Sequence, residues 1–430
     1  MTTKPNIVLI TVDSLRADHV NKGKSHTASM NSIADDGVQF ETAIAQGPFT
    51  TFSMPSIFTS RYPSQLTRFQ LSRWGTGAMV GDAPTLGERL NAAGYRTMGV
   101  HSNPLLSRTF GFHRGFDQFY DSLGSEQQFG SRRFRLLVSK LRRLLRSEAY
   151  VPADDLTDLA LEWLSETDEE PYFLWVHYMD AHGPYKERDL PPGIQKFKSE
   201  YRWQKALQSP DEISDSSHER LRDAYEDEVA FVDEQVGRLV TALEERGDYD
   251  GSVLLLSADH GEEFREHGDY SHGNKLYEEL LRVPLVVKTG SDTAPDRVQE
   301  PVPLLDIAPT LVAAGGGDTA GFEGESLLPV CAGEADPSNE RVISEADLEP
   351  NYIASVRDDR WKYIHDSAGP ELYNLDADPD ERDNVISKQQ DVGEELSEIL
   401  STHTEKEGTE ADFSLDSGEL KQRLKTLGYL

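Results

Sequence analysis

The chain holds a single cysteine, Cys331, in 430 residues, which excludes an intrachain disulfide. It has no apolar run near the ~20 residues of a membrane-spanning helix. Its start, Met1-Thr2-Thr3-Lys4-Pro5-Asn6, lacks the apolar core of a secretory leader, about 7–15 residues, and runs directly into a strand pattern. These absences predict a soluble, cytoplasmic protein. Positive charge is also scarce: 43 Lys and Arg stand against 76 Asp and Glu, a net charge of −33. General nucleic-acid binding needs a basic surface and is excluded. So large an acidic excess repels itself at low salt and aids solubility where salt screens it, which suits a halophilic, salt-rich cytoplasm.

What is present is organised around Val253-Leu254-Leu255-Leu256-Ser257-Ala258-Asp259-His260-Gly261-Glu262. Four consecutive aliphatics read as a strand buried on both faces, as in a parallel sheet. Asp-His-Gly-Glu follows at its carboxyl end, where ligands of open α/β sheets bind. Asp259 and His260 offer a carboxylate oxygen and an imidazole nitrogen, a donor pair suited to Zn or Mn; Asp-His-Gly is also ordinary turn chemistry. A second buried strand, Pro5 to Val12, ends in Asp13. Alone, Asp13 reads as a helix cap; paired with Asp259 and His260 it reads as a third ligand. A third strand, Tyr172 to Tyr178, runs into Asp180 and His182 on the same predicted edge. Between the first two strands, Gly47-Pro48-Phe49-Thr50 predicts a turn presenting Thr50 at a helix start, as an N-cap or facing an anion.

Helices are predicted over Ala153 to Glu166, Leu221 to Arg246 and Asp306 to Ala314, and residues 186–220 read as a polar loop over the site. Short strands at Val342-Ile343-Ser344, Tyr352 to Val356 and Trp361 to Ile364 predict a small antiparallel sheet. Residues 402–416 read as a charged linker, and Leu420, Leu424 and Leu427 as the stripe of a docking helix. Seven basic residues between Arg132 and Arg146, with no acidic neighbour, predict a basic amphipathic helix making weak contact with an anionic membrane or pairing with the acidic body.

The pieces PNIVLITVDSLRADHV, GPFTTFSMPSIFTSRYPS, GYRTMGVHSNPLL with GFDQFYD, FLWVHYMDAHGPY, LLLSADHGEEFREHG with SHGNKLYEELLRVPLVV, LLDIAPTLVAAGG, and VRDDRWKYIH with ELYNLDADPDERDNV occur in order from residue 5 to about 387. On these pieces the chain resembles the sulfatase family, within the wider alkaline-phosphatase-like superfamily. The resemblance implies an α/β fold, a mostly parallel central sheet sandwiched by helices, with a small C-terminal antiparallel sheet subdomain. The predicted division is a catalytic domain over 1–320, the subdomain over 321–400, and a linker with docking helix over 401–430.

Sulfatases carry a Cys or Ser that becomes formylglycine in a C/S-x-P-S-R motif. Aligned on Thr59-Ser60-Arg61-Tyr62-Pro63, which matches the family's T-G-R-Y-P, that position is Thr50 and the motif arginine is Met54. Ser53 sits three residues too close to the anchor, so Thr50 is the preferred nucleophile and no formylglycine is expected. Ser14 stands where the family usually has a further Asp, and Asn103 falls in the stretch that supplies an anion-binding lysine. The resemblance thus implies one divalent ion (Mn, Zn, Ca or Mg, the Asp/His set favouring Mn or Zn) held by Asp13, Thr50, Asp259 and His260. Lys275, His182 and Asn103 would stabilise the anion, His272 would protonate the leaving group, and Arg61 and Asp180 would contact substrate.

The expected activity is hydrolysis of a sulfate- or phosphate-type ester, phosphorus being favoured because threonine lacks the second hydroxyl that lets formylglycine hydrate expel sulfate. The expected substrate is a small-molecule, glycan-linked or lipid-linked anionic ester; a homo-oligomer is left open. Two other functions share this frame: transfer of a phospho-headgroup to a glycan or lipid, and non-catalytic binding.

Overall fold

The computed structural model describes residues 4–20, 25–71, 75–123, 150–167, 171–188, 190, 192–290, 296–338, 341–348, 351–404 and 418–426. The basic run Arg132 to Arg146, residues 405–416 of the linker and Leu427 lie outside the described residues.

Nine strands form the main sheet: β1 (Ile7–Val12), β2 (Val38–Ile44), β3 (Arg96–His101), β4 (Gln118–Tyr120), β5 (Tyr172–Tyr178), β6 (Val253–Ala258), β7 (Arg282–Lys288), β8 (Arg297–Val298) and β9 (Val302–Pro303). Their order is β8-β2-β7-β6-β1-β5-β3-β4, with β9 also on β2. β1, rich in β-branched residues and wholly buried, is central and parallel to both β5 and β6. β7 runs antiparallel to β6 and β2, so the sheet is mixed but mostly parallel. Such strands need helices on both faces. The helices used below are α1 (Thr50–Thr59), α2 (Ala153–Ser165), α3 (Pro192–Gln208), α4 (Asp215–Arg246) and α5 (Ile307–Ala314).

Register decides where chemistry gathers. Val12 pairs with Tyr178 on one side and Ala258 on the other, and His101 pairs with His177. The chain segments that begin at Asp13, Ser102, Met179 and Asp259 therefore leave the sheet at one edge.

The stretch 186–220, expected as a loop, holds α3 and the start of α4. Pro192 is the reason the helix was missed: a proline reads as a breaker, yet it is tolerated in the first turn of a helix, where its missing N–H costs nothing. Ser199, Trp203 and Ala206 form its buried face.

The C-terminal sheet has four antiparallel strands, Val342–Leu348, Asn351–Arg357, Trp361–His365 and Glu371–Asn374, the last not foreseen. Helix Gln390–Thr404 covers it, with Leu396 and Leu400 packed on Val356, Tyr363 and Leu372. Helix Gly418–Thr426 buries Leu420 and Leu424 in the main core. Among the described residues no helix is long and apolar enough to cross a membrane.

Candidate active site

Thr50 opens α1, which is anchored in the core by Phe52, Ile57 and Phe58, the last packed on Trp175 at 4.5 Å between ring centroids. The preceding loop is braced from the C-terminal sheet. Gln46 O accepts from Glu345 N at 2.9 Å, and Ala45 O accepts from the Ser344 hydroxyl at 2.6 Å. A Cβ on Gly47 would stand 2.5 Å from Phe52 Cβ and 2.8 Å from Glu345 O, so only glycine fits there. The Thr50 hydroxyl donates to Asp13 Oδ2 at 3.3 Å and lies 3.5 Å from His260 Nε2.

Asp13 is fully buried. Its Oδ2 also accepts from Asn103 Nδ2 at 2.9 Å and lies 3.6 Å from His177 Nε2, while Oδ1 accepts from the Ser14 hydroxyl at 3.1 Å. Burial pushes this carboxyl up, but His182, His177 and His260 together hold it far below the usual carboxylate range. Ser14 has φ +60, and its N–H donates to Asp259 Oδ1 at 3.2 Å. Its backbone thus ties the two strand ends together where the family's usual second carboxylate is missing. His260 Nε2 lies 3.8 Å from Asp13 Oδ1 and 3.6 Å from Asp259 Oδ2. Burial opposes charge on this imidazole, yet Asp259 and Asp13 raise its pKa above the usual value.

These residues fit a cation. Asp13, His177 and Asp259 each offer a ligand atom, all within 4.8 Å of one another. Asp259 Oδ2 and His177 Nε2 are buried without a hydrogen-bond partner, the condition a buried polar atom avoids unless something else satisfies it. Among the described residues no lysine or arginine ion-pairs with either aspartate. His177 was not singled out from the sequence. The signal was there: a histidine in an otherwise apolar and aromatic strand, one step before its carboxyl end. Its Nδ1 lies 3.0 Å from the Thr11 hydroxyl, leaving Nε2 for the site.

His272 and His182 join the cluster. The His272 ring centroid is 4.5 Å from that of His260 and 5.0 Å from that of His182. His272 Nδ1 lies 3.4 Å from Glu262 Oε1, and Glu262 Oε2 accepts from the Tyr185 hydroxyl at 2.7 Å. Burial and neighbouring His260 push the His272 pKa down, with Glu262 opposing. Glu262, named in the sequence only as part of its run, thus faces His272 Nδ1, which also lies 3.4 Å from the Ser271 hydroxyl.

Two expected residues, Lys275 and Asp180, pair with other groups, and a third, Arg61, lies at the far end of α1. Lys275 Nζ binds Glu263 Oε2 at 2.9 Å, Asp269 Oδ2 at 2.8 Å and the His267 carbonyl at 2.8 Å, clamping the hairpin of Glu263–Phe264 and Tyr270–Ser271. Asp180 accepts from Ala153 N at 2.9 Å and so anchors α2, while its other oxygen faces Lys186 at 3.6 Å and Arg188 at 3.8 Å. Tyr178, whose hydroxyl meets Thr157, and Asp180, which accepts from Ala153 N, both contact α2. Arg61 lies beyond the C-terminal end of α1, about 16 Å along the axis from Thr50. Ser53, the rival nucleophile, is buried one turn into α1 and its hydroxyl has no partner.

Fold and site define a hydrolase of sulfate- or phosphate-type esters. The sulfatase family profile matches residues 5–317, and the chain belongs to the sulfatase family. A second profile, described as N-sulphoglucosamine sulphohydrolase, C-terminal, matches residues 265–406. A choline-sulfatase of Rhizobium meliloti (strain 1021) is 26% identical over 90% of this chain and 83% of its own length. A multifunctional alkaline phosphatase superfamily protein of Trinickia caryophylli is 27% identical over 53% of this chain and 54% of its own. Among solved structures, the phosphonate monoester hydrolase of Agrobacterium radiobacter superposes with a TM-score of 0.70 at 20% identity, covering 93% of this chain and 95% of that one. A structure bound to its substrate D-glucosamine-2-N,6-O-disulfate gives 0.71 at 18% identity, covering 94% and 98%. The fold is that of these enzymes.

Proposed function

We propose that the protein is a metal-dependent phosphoester or phosphodiester hydrolase with Thr50 as nucleophile, unmodified and without formylglycine. The observation that carries this is the Thr50 hydroxyl, set at a helix start between Asp13 Oδ2 and His260 Nε2. A divalent cation on Asp13, Asp259 and His260, with His177 as a further ligand, would act as a Lewis acid on the Thr50 hydroxyl and the ester oxygens. Asp13 Oδ2 accepts the hydroxyl hydrogen and turns an oxygen lone pair toward the substrate. Thr50 Oγ1 attacks in line, its proton passing to Asp13 Oδ2, and the bond to the leaving oxygen breaks. Asn103 Nδ2, held over the site by its contact with Asp13, is a donor for the charge that develops on the non-bridging oxygens. His272, its Nδ1 turned to Glu262, gives a proton to the leaving oxygen and takes one from the attacking water, and Asp13 returns its proton to Thr50 Oγ1 as the phospho-threonine bond breaks.

Threonine offers one hydroxyl, so a sulfo-threonine has no neighbouring hydroxyl to expel sulfate. A phospho-threonine is released by a second attack at phosphorus. The substrate class that fits is an anionic ester on a small molecule or a glycan.

Initial rates on aryl sulfate, aryl phosphate mono- and diesters and an aryl phosphonate, with added Mn or Zn, test the reading. Phosphoesters turn over faster than the sulfate. Thr50→Ala loses about 10³-fold or more, and Ser53→Ala keeps most activity. Aryl sulfate as the fastest substrate, or full activity in Thr50→Ala, overturns it.

A further inference from the structure

Helix α3 has two faces. Its inner face carries Ser199, Trp203 and Ala206. Trp203 meets Tyr185 edge-on at 5.0 Å, and Tyr185 binds Glu262. The outer face carries Ile194, Phe197 and Tyr201, which are 51%, 73% and 65% exposed. Their spacing places them on one stripe. A single exposed apolar residue is ordinary, but three large ones in a row mark a contact surface. Lys198 and Lys205 run along one edge of that stripe, about 20–40° around the axis from Ile194.

Charge names the partner. Along the stripe the helix carries Lys198 and Lys205, with Glu200 about 120° around the axis from Ile194 and Arg202 ion-paired to Glu187, a cationic strip in a chain of −33. At moderate salt the Debye length is about 10 Å, so an approaching surface meets the helix's own charge rather than the chain's total. A second copy is a poor match, because a two-fold contact would set this cationic helix against itself.

We propose that the outer face of α3 seats on an anionic lipid surface. The helix lies in the plane of the headgroups, Ile194, Phe197 and Tyr201 enter the acyl boundary, and Lys198 and Lys205 meet lipid phosphates. This contact belongs to a different element from the basic run Arg132 to Arg146 and does not depend on which residue is the nucleophile.

Flotation of the intact protein with vesicles of phosphatidylglycerol and phosphatidylcholine, against phosphatidylcholine alone, tests it. Wild type floats with the anionic vesicles at modest salt and about fivefold less with the neutral ones. F197D/Y201D binds the anionic vesicles about tenfold more weakly, and K198E/K205E loses the preference for them. All four positions are away from the catalytic cluster, so turnover of a soluble aryl ester reports that the variants fold. Wild type remaining in the lipid-free fraction overturns the proposal, as does flotation of F197D/Y201D equal to wild type. A lipid-independent dimer dissolved by the same substitutions also overturns it and assigns the face to a second copy.

Discussion

Two buried charged clusters in this protein have opposite designs. At the strand ends, Asp13, Asp259, His260 and His177 converge, and among the described residues no lysine or arginine is ion-paired to the carboxylates. Where the C-terminal sheet meets the main domain, Lys362 Nζ lies 2.9 Å from Glu381 and 3.1 Å from Glu278, and Arg357 adds a second cation 3.5 Å from Glu278. The second cluster brings its own counter-charge; the first requires one from outside. A buried charge left uncompensated is costly, so the cluster the chain leaves incomplete is the one that fits an added cation, and the closed one is a joint between the two sheets.

Asp259→Asn breaks the open cluster and has the largest expected effect. Turnover falls by about 10³-fold and bound divalent metal falls with it. Because the substitution removes one of two crowded carboxylates, the thermal midpoint of the metal-free variant is at least as high as that of metal-free wild type. Elemental analysis and paired melting curves check both halves; full metal content with full turnover would remove Asp259 from the site.

Lys362→Met breaks the closed cluster in the opposite sense. It leaves Glu278 and Glu381 buried without their shared cation and lowers unfolding stability by about 3–5 kcal/mol, while kcat of the folded fraction stays near wild type. Denaturant titration with active-site normalisation measures the two separately. A large fall in kcat with unchanged stability would make this joint part of the catalytic machinery.

His272→Gln and Lys275→Met sharpen the contrast within one loop. His272 belongs to the open cluster, and its loss costs about 10²-fold in turnover. Lys275 belongs to a closed one with Glu263 and Asp269, so its loss shows in melting temperature while KM for a soluble ester stays put. The reverse pattern would return Lys275 to the substrate.

The smallest effect is a pH slope. Burial, reinforced by Glu278, pushes Glu381 from 4.5 up to about 7. The folded carboxyl keeps its proton where the unfolded one has released it, so the folded state binds more protons between those values. Its contribution to stability is full below about 4.5 and is lost as pH rises through about 7. Unfolding free energies at pH 5 and pH 7.5 show this decline in wild type and a flatter profile in Glu381→Gln.

Much of this was readable in advance. β1, β5 and β6 announce themselves as apolar runs ending in polar ones, which put Asp13 beside Asp259 and His260; Thr50 came from the family resemblance, and its hydroxyl lies against Asp13. Lys275, Asp180 and Arg61 were placed near the site by motif position, whereas the partners that Lys275 and Asp180 take in the structure depend on hairpin closure and on the packing of α2. His177 was passed over because a strand residue looks structural until its neighbours across the sheet are known. Helix α3 was hidden by Pro192, whose meaning depends on whether a buried face follows it.

By itself the sequence determined the mostly parallel α/β sheet, the carboxyl-edge position of Asp13 and Asp259, and a threonine where the family motif carries Cys or Ser, because local apolar patterning and residue chemistry are written in consecutive residues. Tertiary structure decided which charges are closed and which are left open. Lys275 is spent on Glu263 and Asp269, Asp180 on the start of α2, and Glu262 on His272. Only the packing of distant segments brings a counter-charge to a buried group or withholds it, and here it was withheld around Asp13, Asp259 and His177.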